Sequence, residues 1–263
     1  MNKNQIEIYA RELFDADRSR LAVQPITERD ASFDVYDAYA IQLCNVNRVV
    51  SMGHKISGKK IGLTSLAMQQ QLGVGEPDYG HLYEAMHCED GLVKTDALIQ
   101  PKIEAELAFI LKKDLKGGNV TVDDVDEATD YIVAAFEIVD SRVADWRIKL
   151  PDTVADNASS GRYVLGQIRV APKSIDLSAV VMKLYKYEGE AAVLQNEGLG
   201  AAVMGDPRLA VAWLANKLWG YGVILEAGET VLSGALSSAP AAQKSDVFRA
   251  EFTDFGCIEA RFI

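Results

Sequence analysis

The chain has 263 residues, 49% of them hydrophobic and 25% charged, enough to bury a full core as one large domain or two small ones. Its formal charge of -11 speaks against nucleic acid or an anionic membrane as partner, since both call for basic patches. Cys44, Cys88 and Cys257 lie far apart with no metal-ligand spacing, no apolar run approaches the roughly 20 residues that span a bilayer, and the N-terminus lacks a signal-peptide core. A cytoplasmic protein with reduced cysteines is expected.

Residues 4 to about 20 carry Ile6, Tyr9, Ala10 and Leu13 at helical spacing. A second helix is predicted from about Asp34 to Met52, with Val35, Ala38, Tyr39, Leu43, Val46 and Val50 as its apolar stripe and Gly53 just past its end. Residues 56 to 63 form a short stretch rich in Gly and Lys. A short helix from about Ser65 to Leu72 leads into a loop, Gly73 to Gly80, that holds Pro77-Asp78-Tyr79. From residue 92 the pattern turns to strands: Ala97 to Leu111, then an acidic helix over Val122 to Asp130, then a strand over Tyr131 to Val139. Val180 to Leu194 alternates around Glu188-Gly189-Glu190, which predicts a hairpin. Asp206-Pro207 opens a helix, Asp as N-cap and Pro at the first position, that runs through Val211, Leu214 and Leu218 to Gly220 or Gly222. Thr230 to Ile263 reads as strands joined by turns such as Asp254-Phe255-Gly256. No repeat or linker interrupts the chain. The expected organisation is a single α+β catalytic domain over residues 1–263, with a helical segment 1–55 packed on a β-rich body 56–263.

Within Ile103-Glu104-Ala105-Glu106-Leu107-Ala108-Phe109-Ile110-Leu111, two glutamates stand two residues apart. Residues i and i+2 share one face of a strand, so both carboxylates project side by side from a hydrophobic element. Unpaired, they would repel, and each would cost several kcal/mol of desolvation. A divalent metal between them is the simplest remedy. Ala134-Ala135-Phe136-Glu137-Ile138-Val139 supplies a third carboxylate on an apolar strand. Three carboxylates plus waters make a hard, all-oxygen donor set that suits Mg²⁺ or Mn²⁺ better than zinc. The alternative leaves Glu104 or Glu106 facing solvent and Glu137 paired with Arg142 or a lysine.

Lys59 and Lys60 are adjacent, so in an extended segment they point to opposite sides. One can then face inward as a proton donor or anion holder, while two solvated lysines on an edge is the ordinary alternative. Asp78 lies in the loop stiffened by Pro77 and Gly80. Residues 152–161 and Ser233-Gly234-Ala235-Leu236-Ser237-Ser238 offer small polar groups suited to a turn, a cap or a carboxylate. His54, His81 and His87 show no metal spacing. No phosphate-binding glycine motif and no GxSxG elbow occurs, which leaves nucleotide cofactors and serine-hydrolase chemistry unsupported.

These segments, in this order, resemble the 2-oxopent-4-enoate hydratase and 4-oxalocrotonate decarboxylase family of aromatic meta-cleavage pathways, within the fumarylacetoacetate hydrolase superfamily. The resemblance is carried by Lys60-Ile61-Gly62-Leu63-Thr64-Ser65, Glu76-Pro77-Asp78-Tyr79-Gly80, Gln100-Pro101-Lys102-Ile103-Glu104-Ala105-Glu106, Phe136-Glu137-Ile138-Val139-Asp140-Ser141-Arg142 and Val154-Ala155-Asp156-Asn157-Ala158-Ser159, and it covers essentially the whole chain. It implies a rolled, mixed β-sheet with a helical N-terminal segment, assembled into homo-oligomers, with association with a sister pathway enzyme as a further option. It implies Mg²⁺ or Mn²⁺ on Glu104, Glu106 and Glu137, catalysis by Lys60 and Asp78, and a small unsaturated 2-oxo or 2-hydroxy acid held by Thr64, Leu107, Ser159, Arg162 and Ser233.

The implied reaction is hydration of 2-hydroxypenta-2,4-dienoate (2-oxopent-4-enoate) to 4-hydroxy-2-oxopentanoate. Asp145-Trp146-Arg147-Ile148-Lys149, Val211-Ala212-Trp213-Leu214-Ala215-Asn216 and Leu232-Ser233-Gly234-Ala235-Leu236 look like the hydratase version. Ser159-Ser160-Gly161-Arg162-Tyr163 is closer to the decarboxylase, where Arg162 would meet the second carboxylate of a dicarboxylic substrate. Two other readings fit less well. An acylpyruvate-type C–C hydrolase would want a histidine or acidic residue on a lid, and no histidine here falls in a matching position; a non-catalytic partner subunit has no need of Glu104, Glu106, Glu137 and Lys60.

Overall fold

The computed structural model describes residues 1–65, 69–70 and 73–263. The short helix expected from Ser65 to Leu72 lies largely outside the described residues. Helix α1 (Lys3–Ser19) starts at a reciprocal cap, in which the Asn2 side chain accepts from Gln5 N and the Gln5 side chain accepts from Asn2 N. It buries Ala10, Leu13 and Ala16. After the single turn α2 (Ile26–Arg29), α3 (Val35–Ser51) is capped by the Asp34 side chain and ends before Gly53, whose φ is 96°.

The buried stripe of α3 differs from the expected one. Leu43 and Val50 are 41% and 42% exposed, while Ile41 and Gln42 are buried. Gln42 can take a core position because its amide donates to Tyr79 O and Val154 O, both at 2.9 Å.

Among the described residues eleven strands form two mixed sheets. The first has the order β2-β1-β9-β4-β5-β6, with β1 (Ile56–Gly62), β2 (Asp78–Tyr83), β4 (Pro101–Leu111), β5 (Thr129–Asp140), β6 (Ser160–Leu165) and β9 (Thr230–Leu232). Its centre is the long antiparallel pair β4–β5, and β1 joins β9 in parallel. The second has the order β3-β11-β10-β7-β8, with β3 (Leu92–Val93), β7 (Val181–Glu188), β8 (Ala191–Leu199), β10 (Val247–Phe252) and β11 (Gly256–Phe262). The hairpin β7–β8 turns at Gly189, where φ is 64°. Helix α4 (Val122–Ala128), the short α5 (Leu150–Ala155) and α6 (Pro207–Trp219) follow between the strands, α6 capped by Asp206 with Pro207 in its first turn.

Alternation along β4 and β5 divides the core. Ile103, Ala105, Leu107 and Phe109 join Phe136 and Ile138 in the main cluster, which also takes in Ala10, Leu13 and Ala38 of the N-terminal helices. The opposite face carries Glu104, Glu106 and Glu137. It closes at its far end on a smaller cluster of Leu82, Ala108, Val133, Ala135, Tyr163 and Leu232. Asp78 is not in a loop as expected: it begins β2, a strand buried along its whole length. Gly80 fits inside that strand because a Cβ there would lie 2.3 Å from Asn157 O.

Candidate active site

The β4–β5 register sets Glu104 directly opposite Glu137 and Glu106 opposite Ala135, whose small side chain leaves room for the carboxylates. Carboxylate oxygens of Glu104, Glu106 and Glu137 lie within 4.8 Å of one another. Glu106 and Glu137 are fully buried, and Glu104 is half-buried. Lys60 reaches the same face from β1 and places Nζ 3.1 Å from Glu137 Oε1. Gly234 N donates to Glu106 Oε2 at 2.9 Å, while Glu106 Oε1 and Glu137 Oε2 have no hydrogen-bond partner among the described residues.

Burial pushes all three carboxyls up, Glu106 furthest because Glu137 and Glu104 add like charge. For Glu137 burial outweighs the pull of Lys60 and takes the group to about 8. Burial also works against the Lys60 ammonium, but Glu137, Glu104, Asp78 and Glu106 together hold it above the ordinary lysine value. Buried carboxylate oxygens without donors, on an all-oxygen set of three, fit a hard divalent cation. Without one the cluster must hold protons.

Asp78 stands opposite Gly62, and a Cβ on Gly62 would fall 2.2 Å from Asp78 Oδ1. The glycine therefore makes the space the carboxylate occupies. Burial raises Asp78, opposed by Lys60, by the backbone beside it and by the Thr153 side chain of α5. Its Oδ1 has no hydrogen-bond partner among the described residues.

Thr64 and Gly234 meet at the Glu106 side. Gly234 has φ 112°, and a Cβ there would lie 2.3 Å from Thr64 Oγ1. Ser233 Oγ is buried and without a hydrogen-bond partner among the described residues. Ser159 Oγ lies 3.5 Å from both Thr153 Oγ1 and Asp156 Oδ2, so it supports the Asp78 side through Thr153. Asn157, Ala158 and Ser159 all have φ near +50° to +55°, a left-handed run that costs free energy at each non-glycine residue. It is held by the buried Arg142–Asp156 pair, Nε to Oδ1 2.5 Å, and by Asn157, whose side chain bonds both His81 N and His81 O.

Two expected substrate contacts need correction. Leu107 follows Glu106 on β4 and therefore turns its side chain into the main core, leaving only its carbonyl near the site, where it accepts from Ser233 N at 3.0 Å. Arg162 pairs with Ile138, on the other face of the sheet from Glu137, and donates to Gly161 O at 2.7 Å. It lines a cleft of about 290 Å³ with Phe14, His54 and Met86, away from the carboxylates. The lysine pair is also not an exposed edge: both are buried, and Lys59 Nζ pairs with Glu229 at 2.6 Å. Gly62, Thr153 and Gly234 belong to the site and were not singled out from sequence; the glycines at i+2 from Lys60 and next to Ser233 were the available signal.

Residues 86–263 match the family described as fumarylacetoacetate (FAA) hydrolase C-terminal. The chain is 44% identical over 263 residues to a 2-keto-4-pentenoate hydratase of Paraburkholderia xenovorans (strain LB400), covering 100% of this chain and 96% of the relative. It is 43% identical over 264 residues to a 2-hydroxyhexa-2,4-dienoate hydratase of Comamonas testosteroni, covering 99% and 98%. Among solved structures, 4-oxalocrotonate decarboxylase from Pseudomonas putida G7, complexed with magnesium and adipate, superposes with a TM-score of 0.95 at 32% identity, covering 100% of this chain and 99% of that one.

Proposed function

Because the chain belongs to the fumarylacetoacetate hydrolase C-terminal family, we propose that it is a metal-dependent hydro-lyase that hydrates 2-hydroxypenta-2,4-dienoate to 4-hydroxy-2-oxopentanoate in aromatic meta-cleavage catabolism. The observation that carries this reading is the gathering of Glu104, Glu106, Glu137, Lys60 and Asp78 on one sheet face. Glu104, Glu106 and Glu137 would hold Mg²⁺ or Mn²⁺, which when bound supplies Lewis-acid polarisation of the acid's carboxylate and 2-oxygen.

The protein groups move the protons. Asp78, with Oδ1 free to accept, takes the 2-hydroxyl proton while the Lys60 ammonium protonates C5, and the dienol becomes a conjugated 2-oxo-3-enoate. Water then adds its oxygen to C4 and gives its proton to the now neutral Lys60 amine, while the proton held by Asp78 goes to C3, which returns both groups to their starting states. Thr64, Ser159 and Ser233 bind and orient the acid, with Ser233 Oγ as a free hydroxyl in the buried wall.

A second reading, decarboxylation of 4-oxalocrotonate, is favoured by the likeness to the decarboxylase structure. Purified protein with Mn²⁺ or Mg²⁺, given each acid separately, separates the two. Hydration predicts 4-hydroxy-2-oxopentanoate from the dienoate; rapid CO₂ release from 4-oxalocrotonate without hydration would overturn the first choice. We further propose that residues 1–263 act as one catalytic domain in a cytoplasmic homo-oligomer. Among the described residues no helix is long and apolar enough to cross a membrane, and β8 at a sheet edge exposes Val193, Leu194 and Leu199, surface that an assembly would cover.

A further inference from the structure

We propose that the cleft lined by Phe14, Tyr83 and Arg162 is a second binding site, separate from the carboxylate cluster, for a small monocarboxylic acid carried on a single ring.

The cleft lies on the face of the first sheet turned away from the cluster. Along β2, Leu82 shares the cluster side with Asp78, so Tyr83 points the other way. On β6, Tyr163 stands opposite Glu137 and Arg162 opposite Ile138, which puts Arg162 on the same side as Tyr83. Tyr83 and Arg162 both line the cleft, and α1 and α3 close over it with Leu13, Phe14, Arg18 and Val49.

Most polar groups in the cleft are already satisfied. Asn45 donates to Ala10 O, Asn157 bonds both backbone groups of His81, and Ser160 donates to Asn157 O. Arg142 is paired with Asp156, and Asp17 with Arg20. Besides the exposed His54, three groups are left over. Arg18 rests over the Phe14 ring, 5.7 Å from its centroid, and Arg162 donates to Gly161 O, but neither guanidinium has a carboxylate partner among the described residues. A ring face attracts a cation without neutralising it, so the Arg18 charge remains available to an anion. Tyr83 is only 8% exposed, yet its hydroxyl has no hydrogen-bond partner among the described residues. A buried hydroxyl in that state costs free energy until something meets it.

Charge and size fix the class of ligand. Three guanidiniums, Arg18, Arg142 and Arg162, face two carboxylates, Asp17 and Asp156, which leaves one positive charge in excess. That matches a monoanion, in a chain whose net charge of -11 otherwise repels acids. The remaining wall is apolar, and Met52 and Met86 supply thioethers that adapt to the shape of a ring. An apolar cavity of about 150 Å³ takes one benzene ring. The cleft, at about 290 Å³, has room for a ring with its carboxylate.

The test is calorimetric titration with benzoate in EDTA, so that no metal draws the acid to the cluster. The parent should bind one benzoate per chain. Acetate, which lacks the ring, and benzyl alcohol, which lacks the charge, should each bind at least about ten-fold more weakly. Arg162→Met and Tyr83→Phe should each weaken benzoate by about ten-fold. Arg18→Met repeats the test if Arg162→Met does not fold. Lys60→Met, which removes the cation of the cluster, should bind benzoate within about two-fold of the parent. No benzoate binding by the parent, acetate as tight as benzoate, or unchanged affinity in either Arg162→Met or Tyr83→Phe would overturn the proposal. So would loss of binding in Lys60→Met, which would place the acid at the cluster instead.

Discussion

Glu104 and Glu137 face each other directly across the antiparallel pair β4–β5, two like charges at a position where a sheet is destabilised by them. Glu106 stands on the same face, so the strand pair that anchors the larger sheet also holds its most repulsive group of side chains. Lys60 offsets only part of this repulsion.

Removing one of these carboxyls should therefore stabilise the metal-free protein, which otherwise must bear the repulsion or take up a proton to relieve it. In EDTA, Glu106→Gln is expected to melt a few degrees above the parent, about 1–2 kcal/mol. Its amide oxygen can still accept from Gly234 N. Added Mn²⁺ should raise the melting temperature of the parent and leave the variant nearly unmoved. Thermal melts with and without Mn²⁺ check this, and a variant less stable than the parent in EDTA would count against the electrostatic account.

Lys60 and Asp78 should separate chemistry from metal binding. Asp78→Asn and Lys60→Met are each expected to lower kcat by about 10²–10⁴-fold. Asp78→Asn should keep Mn²⁺ affinity close to that of the parent. Steady-state kinetics paired with metal titration reads both, and unimpaired kcat in either variant contradicts its assigned part in proton transfer.

Gly62→Ala tests position without altering any ionisable group. The added Cβ would lie 2.2 Å from Asp78 Oδ1, so the carboxylate must move. A displacement on the order of 1 Å should cost about 10²-fold in kcat. Metal affinity should hold, because the glutamates lie on other strands. Full activity in this variant would show that the placement of Asp78 is not critical.

His81 gives a pH dependence. Burial, then Lys59, takes it down to about 3. The folded protein keeps the ring neutral while the unfolded chain binds a proton near its ordinary value of 6.5. The stabilisation is thus whole above 6.5 and is lost as pH falls from there toward 3, at about 1.4 kcal/mol per pH unit. In metal-free protein Glu137, raised from 4.5 to about 8, acts in the opposite sense: stability declines as pH rises through that window. Urea unfolding of the parent minus that of His81→Gln, each at pH 7.5 and 5.5 in EDTA, cancels the carboxyl contribution. A difference that does not change between those pH values would refute the assignment.

Much of this was legible in the sequence because local rules decide it. The helix opening near Asp34, the Asp206 cap, the Gly189 turn and the i, i+2 glutamates need only neighbours in the chain. The opposite facing of Leu107 was legible too, since it follows Glu106 on a strand. Strand β2 was hidden because Pro77 and Gly80 read as turn residues, and because a strand buried on both faces shows no alternation. The facing of Arg162 depends on its pairing with Ile138 on the neighbouring strand, and the burial of Lys59 depends on Glu229, 170 residues away. Neither is a local property.

That last pair has a consequence for assembly of the sheet. Strand β1 is only seven residues long, rich in glycine and lysine, and pairs with β9 through three residues, a poor basis for choosing an alignment by hydrophobic pattern. Its adjacent lysines are each matched to a different acid, Lys59 to Glu229 and Lys60 to Glu137. A slip by one residue would exchange the faces and strand both ammonium groups in the interior without partners, at several kcal/mol each. The two lysines thus act as an alignment key, and the charge that serves the chemistry on one side also helps to fix where the strand docks.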